Sequence, residues 1–160
     1  MYERLQRWYF PFRAFDEFGI HSPFVFDLVT TGIYRRPLIE KNYGLMLLLG
    51  VSDHLGLSRI GCSEGLQWSA TAGLPYSGYE GEPPELYAFE SPSTARAGLG
   101  TIPENTVIYL DRPYVSRRER LIMEELFLRP DYRVGIDFFY SAFLFPRPEQ
   151  QKEVFRIRLK

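Results

Sequence analysis

The sequence predicts an α/β protein: a small mixed sheet, parallel at first, with antiparallel strands at its C-terminal edge and two helices ahead of it. Three observations predict this. Short apolar runs at 57–60, 86–89 and 107–110 are strand-length, and the chain between them carries turn and helix signals. The first run enters a small-residue turn, Gly61-Cys62-Ser63-Glu64-Gly65, and the next two end in carboxylates, Glu90 and Asp111. Residues 133–159 then read as consecutive strands, which adds an antiparallel edge to a parallel sheet.

Composition narrows the class. The chain has 160 residues, enough to bury a real core as one domain spanning 1–160, with a helical leader (1–50) and a sheet-bearing core (57–160). An apolar fraction of 45%, with 13 Phe and 11 Tyr, excludes a disordered chain and predicts a core filled by rings. A net charge of −1 supplies no general field for nucleic acid or anionic membrane, so neither a nucleic-acid nor a membrane partner is expected. The lone Cys62 excludes an intrachain disulfide. The N-terminal residues lack the apolar core and cleavage site of a signal peptide, and the longest apolar run, 45–49, is far too short to span a bilayer. The expectation is a soluble, cytoplasmic protein.

The elements follow in order. The first segment is aromatic and basic, with Trp8, Tyr9, Phe10, Phe12, Phe15 and Phe18 among Arg4, Arg7 and Arg13. Such a segment suits a membrane-surface or partner-binding arm. Pro11 interrupts any long amphipathic helix, so the preferred reading is a helix and turn whose rings pack on the domain. Ser22 and Pro23 are an N-cap and first helical residue for a helix to about residue 34. Its i,i+4 pairs Phe24/Leu28 and Val25/Val29 predict one buried face. A second helix is predicted from 42 to about 49.

Ser63 can cap a helix over 64–72, which Gly73 would end, and residues 75–84 form a loop rich in Gly, Pro and Tyr. Residues 91–105 are read as a short connection. Ser116-Arg117-Arg118-Glu119 is a capping-box pattern that opens a helix to about residue 128. Residues 133–139 and 142–145 are strands joined by a tight turn. In the tail Phe155, Ile157 and Leu159 alternate with Arg156 and Arg158, the pattern of a half-buried edge strand.

Residues 19–29, Gly-Ile-His-Ser-Pro-Phe-Val-Phe-Asp-Leu-Val, resemble the leader of a bacterial group of class I S-adenosylmethionine-dependent methyltransferase-like proteins. Shorter similarities follow in the same order: Gly61 to Gly65 with the first glycine motif, Glu90 with the ribose-binding acid after the second strand, and residues 107–111 plus Ser116 with a later Asp-Asp-Ile-His-x-Ser region. Arg112 and Tyr114 replace that region's second Asp and its His. The resemblance implies a reduced Rossmann-like fold and S-adenosylmethionine as cofactor, with Gly61, Ser63, Gly65, Glu90 and Asp111 as the binding residues.

The resemblance also implies two further strands and their helices between Glu90 and residue 107. Residues 91–105 cannot hold them, because one parallel crossover takes about a dozen residues. With the adenine side of the site missing, cofactor binding is expected to be weak or lost. The resemblance then points to a degenerate, non-catalytic binding or structural module that self-associates or binds a protein partner. An active methyltransferase whose pocket a second subunit completes is the alternative, on an acceptor the sequence does not name. A membrane-surface protein using the aromatic N-terminus is a third reading.

The remaining candidates each have a plain structural explanation. His21 sits at a helix start, and His54 has no partner spaced for a metal. Cys62 beside a helix start could be reactive but has no neighbouring Cys or His. Asp111 and Asp137, both at strand ends, could face one crevice. Arg112, Arg117, Arg118 and Arg120 could attract an anion, or pair with Glu119, Glu124 and Glu125, which is preferred.

Overall fold

The computed structural model describes residues 2–14, 19–35, 42–66 and 82–159. The protein is α/β, with a six-stranded mixed sheet covered by helices on both faces. The strands are β1 (Ile60–Cys62), β2 (Leu86–Phe89), β3 (Val107–Asp111), β4 (Val134–Asp137), β5 (Ser141–Phe145) and β6 (Glu153–Arg156). Their order across the sheet is β1-β2-β3-β5-β4-β6.

Strands β2 to β5 are buried at every position. A strand buried on both faces reads as a continuous apolar run rather than an alternation, which is why these runs are visible in the sequence. Val107 and Tyr109 of β3 join Phe143 and Phe145 of β5 on one face, while Ile108, Leu110 and Leu144 point to the other. Each face therefore needs its own helical layer.

The first layer is built by the leader. Helix α2 (Pro23–Asp27) continues into one π-helical turn, Leu28–Ile33, and packs on α3 (Tyr43–Leu55). Ser22 caps α2 as predicted, its Oγ accepting the Val25 N–H at 3.4 Å. Val25, Leu28, Val29, Leu47, Leu48 and Val51 are fully buried against the sheet. Gly32 lets the two elements meet: a Cβ there would lie 2.8 Å from the His54 Cβ. Helix α3 runs past the predicted end. Gly50 is buried within it, and Gly56, at φ +66°, is the residue that ends it.

The second layer holds α4 (Pro92–Gly98) and α5 (Arg117–Leu128), packed on each other. The span 91–105 thus contains a crossover helix between the parallel neighbours β2 and β3. This helix replaces the short connection expected over 91–105, and Ser91, accepting the Thr94 N–H at 3.2 Å, and Pro92 are its ordinary start signals. The capping box at α5 is half realised. Ser116 Oγ accepts the Glu119 N–H at 3.1 Å, but the Glu119 carboxylate reaches across to Ser93, accepting its N–H and its hydroxyl.

Two expectations are corrected. The reversed strand is β5, inside the sheet between β3 and β4, and the edge strand β6 runs parallel to β4. The β4–β5 hairpin explains this: the tight turn reverses the chain, and the longer 146–152 connection lets β6 return in the original sense. The N-terminal rings also differ. Helix α1 (Tyr2–Tyr9) buries no residue, and of the described rings that follow only Phe10 packs on the body, against Tyr114 and Phe139. Trp8, Tyr9 and Phe12 face solvent, because the helical period turns them away from the face that carries Phe10. Phe15, Phe18, most of the predicted 64–72 helix and most of the 75–84 loop lie outside the described residues.

If the leader helix is core, Leu28→Ala should lower unfolding free energy by about 2–5 kcal/mol. Phe26→Ala, at a half-exposed position of the same helix, should cost well under half as much. Urea denaturation of the two variants checks this, and equal small effects would contradict it.

Candidate functional site

The sequence-predicted residues gather at the C-terminal ends of β1, β2 and β3, where open α/β sheets place their ligands. Strand β1 leads into Ser63, whose N–H extends the ladder by donating to the Ala88 carbonyl at 2.9 Å. The Ser63 hydroxyl turns toward the neighbouring strand and accepts the Glu90 N–H at 3.0 Å. Leu66 closes the turn by donating to the Ser63 carbonyl at 3.2 Å.

Glu90 enters this turn from β2. A Cβ built on Gly65 would lie 1.0 Å from Glu90 Oε2, so the carboxylate occupies the space that the glycine leaves. Thr94, in the first turn of α4, donates its hydroxyl to Glu90 Oε1 at 3.0 Å. Ser63, Gly65 and Glu90 are therefore brought together, but they meet one another. A glycine in a phosphate- or amino-acid-binding turn serves by letting a ligand approach the backbone. Here a side chain of the same protein makes that approach.

Gly61 has a separate role. It lies opposite Tyr87 in the β1–β2 register, and a Cβ would fall 2.7 Å from the Tyr87 ring. The missing side chain makes room for an aromatic cross-strand neighbour. Glu64, expected inside the turn, is exposed. Cys62 is fully buried in the first core layer, unlike the accessible thiols that react.

Strand order bears on the ribose assignment. In a doubly wound sheet the second strand lies beyond the first, on the side away from the fourth and later strands. Loss of two intervening strands would leave β1 in the middle. Instead β2, which leads into Glu90, lies between β1 and β3. No strand among the described residues flanks β1 on its other side, so the order does not reverse at β1.

Asp111 and Asp137 end neighbouring stretches of sheet but face opposite layers. Asp111 shares the face of Val107 and Tyr109; it accepts the Tyr109 hydroxyl at 2.9 Å and the Arg112 Nε–H at 3.1 Å. A Cβ on Gly44 would lie 2.6 Å from the Tyr109 hydroxyl and 3.1 Å from Asp111 Oδ1, so this pair seats the start of α3. Burial, reinforced by the Asp111 charge, holds the Tyr109 hydroxyl protonated far above its usual range.

Asp137 points into the second layer and is fully buried. The Tyr114 hydroxyl donates to its Oδ2 at 2.5 Å, the Phe139 N–H donates to Oδ1 at 2.9 Å, and Arg156 Nε lies 3.7 Å away. Phe139 sits at φ +72°, a conformation a bulky residue rarely adopts, and the bond to Asp137 holds that turn. Burial pushes the Asp137 carboxyl up from 3.8 to about 6, against the lowering effects of Tyr114, the Phe139 N–H and Arg156. The shared crevice for the two carboxylates is thus replaced by two structural anchors, because residues 111 and 137 fall on opposite sides of the pleat. Tyr114, singled out in the sequence only as a substituted position, is the partner that makes Asp137 tenable.

Other candidates resolve similarly. His54 bridges Asp27, at 3.2 Å, and Thr31, at 3.2 Å, while His21 is exposed. Among the described residues no group of three His, Cys, Asp or Glu is placed to hold a metal ion. Of the four arginines, Arg120 lies 3.4 Å from Glu124 and Arg112 pairs with Asp111. Glu125 pairs with Arg96 instead. No helix of the described residues is long and apolar enough to cross a membrane. No family model, curated protein or solved structure matches the chain.

The raised Asp137 value sets a pH signature. The stability it contributes is full below pH 3.8, where both states are protonated, and is lost as pH rises through about 6. The difference amounts to about 3 kcal/mol. Asp137→Asn should flatten the stability profile across that window. Tyr114→Phe should cost about 1–3 kcal/mol at neutral pH and move the Asp137 transition to higher pH. Urea titrations at stepped pH check both.

Proposed function

We propose that this chain is a degenerate methyltransferase-like protein that no longer uses S-adenosylmethionine and serves as a non-catalytic binding or structural module. The leader motif at 19–29 and the Gly61–Gly65 turn support the ancestry, while the β1-β2-β3 order argues against an unaltered cofactor-binding sheet. The observation that carries the loss of activity is the Glu90 carboxylate lodged against Gly65 and tied to Thr94. The turn's close-approach position is filled, and the acid meant for ribose hydroxyls is spent on the protein itself.

The placement of Glu90 over Gly65 argues against the cofactor. The amino-acid moiety would need the space over Gly65, and the ribose would need a Glu90 that is free to accept two hydroxyls. Methyl transfer depends chiefly on holding donor and acceptor in line with water excluded, so a site without its clamp retains little. The finer fold reading, a reduced Rossmann-like sheet, belongs to the same proposal, as does self-association or a protein partner.

Isothermal titration calorimetry with S-adenosylmethionine and S-adenosylhomocysteine tests the reading. The expectation is no saturable heat up to roughly millimolar ligand, the affinity range of about −4 kcal/mol. Micromolar binding that disappears in Glu90→Ala would overturn it and favour the active enzyme.

A further inference from the structure

A cavity of about 230 Å³ opens at the C-terminal ends of the parallel strands β4 and β6. Its floor is aromatic: Phe138 and Phe139, which follow β4, and Phe10, which follows α1, are all buried. Tyr140 forms a wall and is itself held by stacking on Tyr43, with ring centroids 4.3 Å apart. Arg7 from α1 and Arg158 from beyond β6 complete the lining, and both are exposed, so they stand at its open side. Arg7 lies against the body here, its guanidinium 6.0 Å over the Tyr140 ring. Among the described residues no Asp or Glu lines the cavity, and neither arginine makes an ion pair.

The protein's own contacts set the shape of this cavity. Phe139 holds its left-handed backbone, φ +72°, and residues strained in this way cluster at ligand clamps and active sites. The Asp137 carboxylate fixes it by accepting the Phe139 N–H at 2.9 Å. The Tyr140 N–H donates to the Phe138 carbonyl at 2.9 Å, and the Phe138 N–H donates to the Ser141 carbonyl at 2.9 Å. With these backbone donors used, the turn offers rings to the cavity. Phe10 packs edge-on against Tyr114 and Phe139, at 5.8 and 5.4 Å, so a buried anchor brings Arg7 to its place. Walls fixed in advance lose little freedom when a ligand binds.

Size, walls and charge together select the occupant. Sites for drug-sized ligands run to roughly 300–1,000 Å³, so this smaller one admits about one ring with a short arm. Aromatic walls favour a planar apolar ring in face or edge contact. Two guanidinium groups with no acid among them favour a carboxylate on the arm, held by charge-assisted hydrogen bonds. A bare anion would leave the aromatic floor uncovered, and a neutral ring would leave both arginines unused. The position, at the C-terminal ends of parallel strands, is where open α/β sheets take ligands. We propose that this cavity binds a small aromatic carboxylate, its ring against Phe138, Phe139 and Tyr140 and its carboxylate on Arg7 and Arg158. The site is separate from the Gly61–Gly65 turn and does not depend on whether that turn has lost its cofactor.

Titration of the full chain with phenylacetate, phenylacetamide and acetate, followed by amide NMR spectra, tests the proposal. Phenylacetate should bind with a Kd of about 0.1–1 mM, the range for so small a ligand, and shift the amides of Phe138, Phe139, Tyr140 and Arg158 most. Phenylacetamide, which keeps the ring without the charge, and acetate, which keeps the charge without the ring, should each bind about tenfold or more weakly. Arg7→Gln and Arg158→Gln should each weaken phenylacetate by about tenfold, whereas Arg4→Gln, on the same helix but outside the cavity, should leave it within about twofold. All three arginines are exposed, so the variants should fold, which circular dichroism verifies. No phenylacetate binding by about 10 mM, the result expected if acids of the chain itself neutralise the arginines, would overturn the proposal. So would equal binding of either partial analogue, shifts centred elsewhere, or a loss in Arg4→Gln as large as in Arg7→Gln.

Discussion

A sheet that is apolar on both faces must be covered on both, and that constraint organises this protein. Strands β2 to β5 carry no solvent-facing side, so neither helical layer is optional. The leader, α2 with its π turn and α3, seals one face. Helices α4 and α5 seal the other, with Gly135 admitting the Phe127 ring to the sheet surface: a Cβ there would lie 2.5 Å from it. The carboxylates that end up inside this sandwich are each hydrogen-bonded. Asp111 with Tyr109, and Asp137 with Tyr114 and the Phe139 N–H, mark where loops are fastened to the sheet.

The same economy explains the glycine turn. A tight turn with exposed backbone beside an unpaired carboxylate would cost stability. Here the Glu90 N–H goes to Ser63, and its carboxylate goes to Thr94 and the space above Gly65. Ser63, Gly65, Glu90 and Thr94 are thus one another's partners.

Much of the fold was legible, and the reasons are local. The 86–89 strand and the 117–128 helix follow from an uninterrupted apolar run and a Ser116 cap, signals that act within a few residues. The end of α3 was misplaced because Gly50 and Gly56 look alike in sequence, and only the fold decides which takes the left-handed conformation. Helix α4, at seven residues, is shorter than periodicity can detect. Strand order and the position of the reversed strand are products of long-range pairing, which no local pattern encodes. At the site, the composition of the Ser63–Gly65–Glu90 cluster could be read, but its inward use could not. Whether a carboxylate faces a ligand or its own turn depends on a contact between residues 25 apart. Nothing in the pattern announced that Leu5, Trp8, Tyr9 and Phe12 would face outward, since the same spacing usually marks a core.

The central claim is that Glu90 fills the turn at Gly65, and a double-mutant cycle tests it most directly. Gly65→Ala alone should cost about 0.5–1.5 kcal/mol in urea denaturation, because the new methyl displaces the carboxylate from its Thr94 hydrogen bond. In a Glu90→Ala background the same substitution should cost less than about 0.5 kcal/mol. Additive costs in the two backgrounds, or a neutral Gly65→Ala, would show that the turn is open and that the cofactor reading deserves to be restored.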